Sequence, residues 1–309
     1  MANYPGDNIV GKVKINTDLL GSDLWERAKR EYDLAAARQV VESMWSPEKT
    51  AAFAEKAHKD LLLITQPSTS KKNVVPVALA EKLSRESGLN FIIGDEFFNS
   101  RHSKEAKNMS RLERIFNRRE YNLYDPDKFR EIVGGKKLVI VEDVLTSGGS
   151  VASFCNELKR NNFDVVAVVA LMGDRRLAMD KITQERLQKT LDEKDLPFSA
   201  GDLAKVLTRT EAGYLIMNLN NIRSENGKRK FAGKIQGLFD QGFIAGVGRD
   251  PNTGRNAGPQ RRDRGDERPS KDLSLRNVQR NPKHGAESAV ERLRRRRQNE
   301  KTKGLGKDR

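Results

Sequence analysis

Residues 138–151 read LVIVEDVLTSGGSV. Four apolar residues, two adjacent acids and two more apolar residues lead into a turn of hydroxyls and glycines. An apolar run this short, closed by a turn cluster, reads as a buried strand, and the SVASFCNELKRNN that follows resumes a helical period. The stretch is therefore a strand, a turn and the start of a helix. Adjacent carboxylates at a strand end repel each other and need partners, so Glu142 and Asp143 ask more of this turn than a connection.

Outward from that stretch the same alternation recurs. DLLLITQPSTS reads as a buried strand, VVPVALAEKLSRESG as a helix stopping at Gly88, LNFIIGD as a second strand and DVVAVVALMGD as a fourth. Nearer the N-terminus, residues 22–44 carry one helical period, with Leu24, Ala28, Leu34, Ala35 and Val41 on one face. A further helix is expected over 48–59, after Pro47, with Ser46 as its N-cap. Residues 96–128 form a long polar segment. Short apolar runs alternating with amphipathic helices imply βαβ units and a parallel sheet covered on both faces, so the fold class is α/β. The expected organisation is an extension over 1–22, a main domain over 23–176, a helical region over 177–248 and a basic tail over 249–309.

Composition narrows the function classes. The chain has 309 residues, 36% of them apolar and 33% charged. Its longest apolar run, residues 165–172, is too short to span a bilayer, and MANYPGDNIVGKVK lacks the apolar core of a signal peptide, so a cytoplasmic protein without a membrane partner is expected. One cysteine, Cys155, excludes an intramolecular disulfide and a cysteine-based zinc site, and His58, His102 and His284 lie far apart in sequence. Residues 249–309 hold 19 Lys/Arg against 9 Asp/Glu and no aromatic residue. They are too polar to offset ordering entropy and are expected to be mostly disordered. The cluster Arg292, Arg294, Arg295, Arg296 and Arg297 suits phosphate contacts with nucleic acid, without base readout.

The turn itself suits a phosphorylated sugar. In open α/β sheets ligands bind beyond the carboxyl ends of the strands, where a helix N-terminus offers free N–H groups. Thr146, Ser147 and Ser150 add hydroxyl donors, while Gly148 and Gly149 let the backbone approach an anion. Glu142 and Asp143, as acceptors, suit the hydroxyls of a ribose attached to that phosphate.

These residues resemble the phosphoribosyl-pyrophosphate (PRPP) binding motif of type I phosphoribosyltransferases, with VIVEDVLTSGGS matching along its whole length. The resemblance implies a type I phosphoribosyltransferase-like domain that uses Mg2+ and PRPP, transfers the phosphoribosyl group to a nitrogenous base or other acceptor, and releases pyrophosphate. A homodimer is compatible with it. It also implies a pyrophosphate loop after the first strand, where TQPSTSKKNVV supplies Ser68, Thr69, Ser70, Lys71 and Lys72. The wording PSTSKKN is similar to competence-associated phosphoribosyltransferase-like proteins. By the same resemblance, residues 98–124 fall where the family keeps a mobile loop, with Arg101, Lys104, Lys107 and Arg111 as candidate cations, and Asp174 falls near the magnesium. The acceptor would be recognised by a hood drawn either from the N-terminal helices or from residues 181–243. A reading of another class stands beside this one: a regulator or accessory protein of a mobile-element, competence or nucleic-acid system that keeps the phosphate loop and works through its basic tail.

Overall fold

A computed structural model describes residues 16–101, 109–173 and 177–240. Three short helices open it: α1 (Thr17–Leu20), α2 (Asp23–Arg30) and α3 (Leu34–Met44). The single helix expected over 22–44 is broken. Tyr32 takes a left-handed φ of 63°, which ends one helix, and the Asp33 carboxylate accepts from Ala36 N, which caps the next. The break folds α2 against α3, burying Trp25 and Ala28 with Ala36, Ala37, Val40 and Val41, whereas Ala35 is exposed. Helix α4 (Pro47–Lys56) starts after Ser46, whose side chain makes no capping bond, and stops short of the expected end.

The alternating core follows: β1 (Leu61–Thr65), α5 (Val75–Ser87), β2 (Phe91–Ile92), then β3 (Phe98–Arg101), α6 (Arg111–Phe116) and β4 (Glu120–Leu123). Next come α7 (Pro126–Val133), β5 (Lys137–Val144), α8 (Gly149–Arg160) and β6 (Val165–Met172). Strands β2, β1, β5 and β6 form one parallel sheet in that order. Strand pleating sends Leu62, Ile64, Leu138 and Ile140 to one face, against Phe129 of α7 and Phe154 of α8. It sends Leu61, Leu63, Val139 and Val141 to the other, against α2 to α5. Both faces are covered, so the strands read as continuous apolar runs.

The polar segment at 96–128 holds a hairpin that its composition hides. Strands β3 and β4 pair antiparallel, Phe98 opposite Leu123 and Ser100 opposite Tyr121. Their buried side chains reach the main core, where the Phe98 and Phe154 rings meet edge to face at 5.0 Å. Asn99, Arg101, Glu120 and Asn122 alternate outward and are exposed. Between the strands, α6 swings away and joins a third core with α9 (Lys181–Glu193), α10 (Ala200–Leu203), α11 (Arg209–Asn221) and α12 (Glu225–Asp240). Ile115 is buried there and Phe116 lies edge-on to Phe231 at 5.7 Å. Among the described residues no helix is long and apolar enough to cross a membrane.

Phe154 joins the sheet to the hairpin, contacting Tyr121 as well as Phe98 at 5.0 Å. Phe154→Ala should lower unfolding free energy by about 3–5 kcal/mol, through lost transfer energy and the cavity left behind. Urea denaturation of the parent and the variant measures it.

Candidate anion-binding site

Two loops converge at the carboxyl edge of the sheet because β1 and β5 are parallel neighbours. Gln66 N donates to Val141 O at 3.0 Å, and Asn73 Nδ2 donates to Asp143 Oδ2 at 2.9 Å. The loops over 66–73 and 142–150 therefore share one edge, as the sequence leads one to expect. After β5, Leu145 N bonds to Met172 O at 2.9 Å, and the chain turns into α8 through Gly148, whose φ is 77°. The glycines serve close packing by the segment before α9 and by α11. A Cβ on Gly148 would stand 2.4 Å from Leu177 Cδ2, and one on Gly149 would stand 2.5 Å from Glu211 Oε1. Thr208 Oγ1 donates to Ser147 O at 2.7 Å, which ties α11 directly to the turn. Thr146 is exposed, and Ser147 and Ser150 are half-buried.

The adjacent acids find different partners. Asp143 is buried and takes Lys29 Nζ at 2.7 Å, in addition to Asn73. Burial opposes its ionisation, but the Lys29 charge, a hydrogen bond with the Glu142 carboxyl and the Lys29 and Asn73 bonds hold its pKa below the usual carboxylate range. Glu142 goes the other way. Burial first, then the negative charge of Asp143, raise its pKa well above the ordinary value, and Lys29 and Arg119 only partly oppose this. The two carboxyls are thus pushed in opposite directions, Asp143 toward its charged form and Glu142 toward its protonated form. Around Glu142 stand Arg119 and Tyr121, whose hydroxyl accepts from Gln66 Nε2 at 2.7 Å.

Beside the turn lies a cleft of about 380 Å³ in which Thr146, Ser147 and Ser150 face Arg111, Arg114 and Arg119. Arg118 also lines it, and its guanidinium is in a buried ion pair with Glu211. Burial pushes the Glu211 pKa up against the pull of Arg118 and of its Thr208 bonds. Arg111 lies 5.3 Å from the ring centroid of Tyr214, so α11 forms the far wall. Hydroxyls at a helix start facing several guanidinium groups make a lining suited to phosphate oxygens.

Of the sequence candidates, Thr146, Ser147, Gly149, Ser150 and Arg111 come together in this cleft; Glu142 and Asp143 are not in its lining and lie against Lys29, Asn73 and Arg119. Arg101 does not join them: it lies on the exposed face of the hairpin, 3.1 Å from Glu120. In the first loop Ser68 N bonds to Asp95 Oδ1 at 2.9 Å, Lys71 Nζ bonds to Asn99 Oδ1 at 3.2 Å, and Thr69 and Ser70 are exposed. Lys104, Lys107, Asp174 and the arginines at 292–297 lie outside the described residues. Lys29, Asn73, Gln66, Arg114, Arg118, Arg119 and Tyr121 were not anticipated. The run RLERIFNRRE, with arginines three to four residues apart, is the one local signal among them. Among the described residues no three His, Cys, Asp or Glu side chains converge as a metal cage.

The raised pKa of Glu142 gives a signed pH dependence. A carboxyl whose folded pKa is raised contributes most below its unfolded pKa, and that contribution is lost as pH rises through the folded value. Glu142→Gln should therefore match the parent at acid pH and become increasingly more stable than it toward neutral pH. Asp143→Asn should destabilise at neutral pH by about 3 kcal/mol, because Lys29 loses its buried counter-charge. Urea titrations of both variants across pH test these signs. No protein-family model matches the chain and no curated protein matches its sequence, so the geometry of this edge carries the functional reading.

Proposed function

We propose that the carboxyl edge binds PRPP and that the protein is a phosphoribosyltransferase of the type I kind. One observation carries the reading: the cleft in which Thr146, Ser147 and Ser150, at the start of α8, face Arg111, Arg114 and Arg119. The turn takes the 5-phosphate on its N–H groups and hydroxyls. Glu142 and Asp143 lie a few residues upstream, where they reach the ribose diol, Glu142 able to donate as well as accept while protonated. The first loop, with Ser68 and Lys71, stands on the same edge for the pyrophosphate. Magnesium bound with the substrate offsets pyrophosphate charge. The chain's own part is to orient the sugar, to surround the departing pyrophosphate with Arg119 and Lys71, and to leave the anomeric carbon open to a nitrogen nucleophile. The acceptor is met by a hood drawn either from the N-terminal helices or from residues 181–243.

A second reading, binding without turnover, is favoured by the Asp143 contacts. That carboxylate is already engaged by Lys29 and Asn73 before any sugar arrives. A ribose hydroxyl must share it or displace them.

Calorimetric titration of PRPP with magnesium tests the binding. Thr146→Val combined with Ser150→Ala should weaken affinity by about 1–3 kcal/mol through lost hydrogen bonds to a charged group. Unchanged affinity, or no binding by the parent, rejects the site. Pyrophosphate release in a screen of nitrogenous acceptors separates the enzyme from the binding protein.

A further inference from the structure

A larger cavity of about 550 Å³ opens between α8 and the β3–β4 hairpin. Its lining is dominated by donors: Arg101, Arg119 and Arg160, the amides of Asn99 and Asn122, and Ser153. Glu120 is the acid among them; it pairs with Arg101, and Arg160 pairs with Glu157 at 3.1 Å, both on exposed arginines that can turn to an incoming anion. Asn99 Oδ1 accepts from Lys71, which leaves its NH2 group as the end free to donate to a ligand. Tyr121 contributes a wall whose hydroxyl is held by Gln66.

Ser153 is the second, independent observation. It is 2% exposed, and its Oγ has no hydrogen-bond partner. A buried hydroxyl left unpaired is costly, and native structures resolve such groups with a ligand or water. Ser153 and Arg160 are seven residues apart on α8, which puts them on one helix face at roughly 10 Å separation. The two residues mark out the cavity along two helical turns. The cavity is also larger than one phosphate needs.

We propose that this cavity is a second anion site, taking an elongated ligand with at least two phosphate groups. Arg160 and Arg101 hold one end at the mouth, and Ser153 with Arg119 holds the other. Arg119 also lines the cleft at the Thr146–Ser150 turn, so the two sites share a cation and occupancy of either changes the charge seen by the other. The site stands without the phosphoribosyltransferase reading, because none of Asn99, Asn122, Ser153 and Arg160 belongs to the turn cleft.

Equilibrium dialysis of the full chain with labelled inorganic pyrophosphate at moderate salt tests it, scored as moles lost relative to the parent so that other basic segments cancel. Arg101 and Arg160 are largely exposed, with side chains 84% and 45% accessible, so Arg101→Gln with Arg160→Gln should leave the melting temperature unchanged. That double variant should lose one mole of bound pyrophosphate per chain, and Ser153→Ala should weaken the same mole severalfold. Thr146→Val with Ser150→Ala should retain it. If Arg101→Gln with Arg160→Gln binds as much as the parent, or if the two double variants lose one and the same mole, the second site does not exist. If the turn variant loses nothing while the arginine variant loses its mole, this site stands, and the turn reading is judged separately by the PRPP affinity of Thr146→Val with Ser150→Ala.

Discussion

The parallel pairing of β1 with β5 is the constraint on which the rest of this molecule depends. Leu61 to Thr65 align with Lys137 to Val141 residue for residue. Because side chains alternate across a strand, that register also decides which apolar residues face each helical layer. It places the loop after β1 and the turn after β5 side by side. A slip of one residue would turn both apolar sets to the wrong layer and carry the acids away from Lys29, Asn73 and Arg119.

Charge at that edge is compensated locally instead of being left to solvent. Lys29 comes from α2, Asn73 from the first loop and Arg119 from the residue before β4, so three separate segments answer two adjacent acids. Buried charges are tolerated only when paired and hydrogen-bonded. The Arg118–Glu211 pair obeys the same rule on the other side of the turn, and there it fastens the C-terminal helices to the segment before β4. The result is a polar edge whose negative charge is spent on internal partners and whose cations face open clefts.

What could be read from the sequence were the elements whose periodicity is strong. Strands β1, β5 and β6 are buried on both faces, and α5 and α8 carry an apolar stripe, so the alternation was visible. The hairpin was not. Its two strands are four residues each, and half of their side chains are Asn, Arg and Glu turned outward, so the alternation drowned in a polar segment. The break at Tyr32 hid inside a good helical period, although Asp33 carries an ordinary capping signal. Within the site, the turn was legible because its chemistry is contiguous in sequence. Lys29 and Arg118 were not, because their partners lie far along the chain and only tertiary folding introduces them.

The bond from Thr208 to Ser147 closes a loop of 61 residues, and the Arg118–Glu211 pair one of 93. Such long closures are entropically expensive and form after local structure. On the ribosome, a nascent chain released through Met172 already owns every strand of the parallel sheet, yet the turn after β5 still lacks its far wall. The cleft is finished only when α11 emerges and Glu211 finds Arg118. The order of synthesis thus separates the birth of the scaffold from the birth of the pocket, and an incompletely translated chain carries the first without the second.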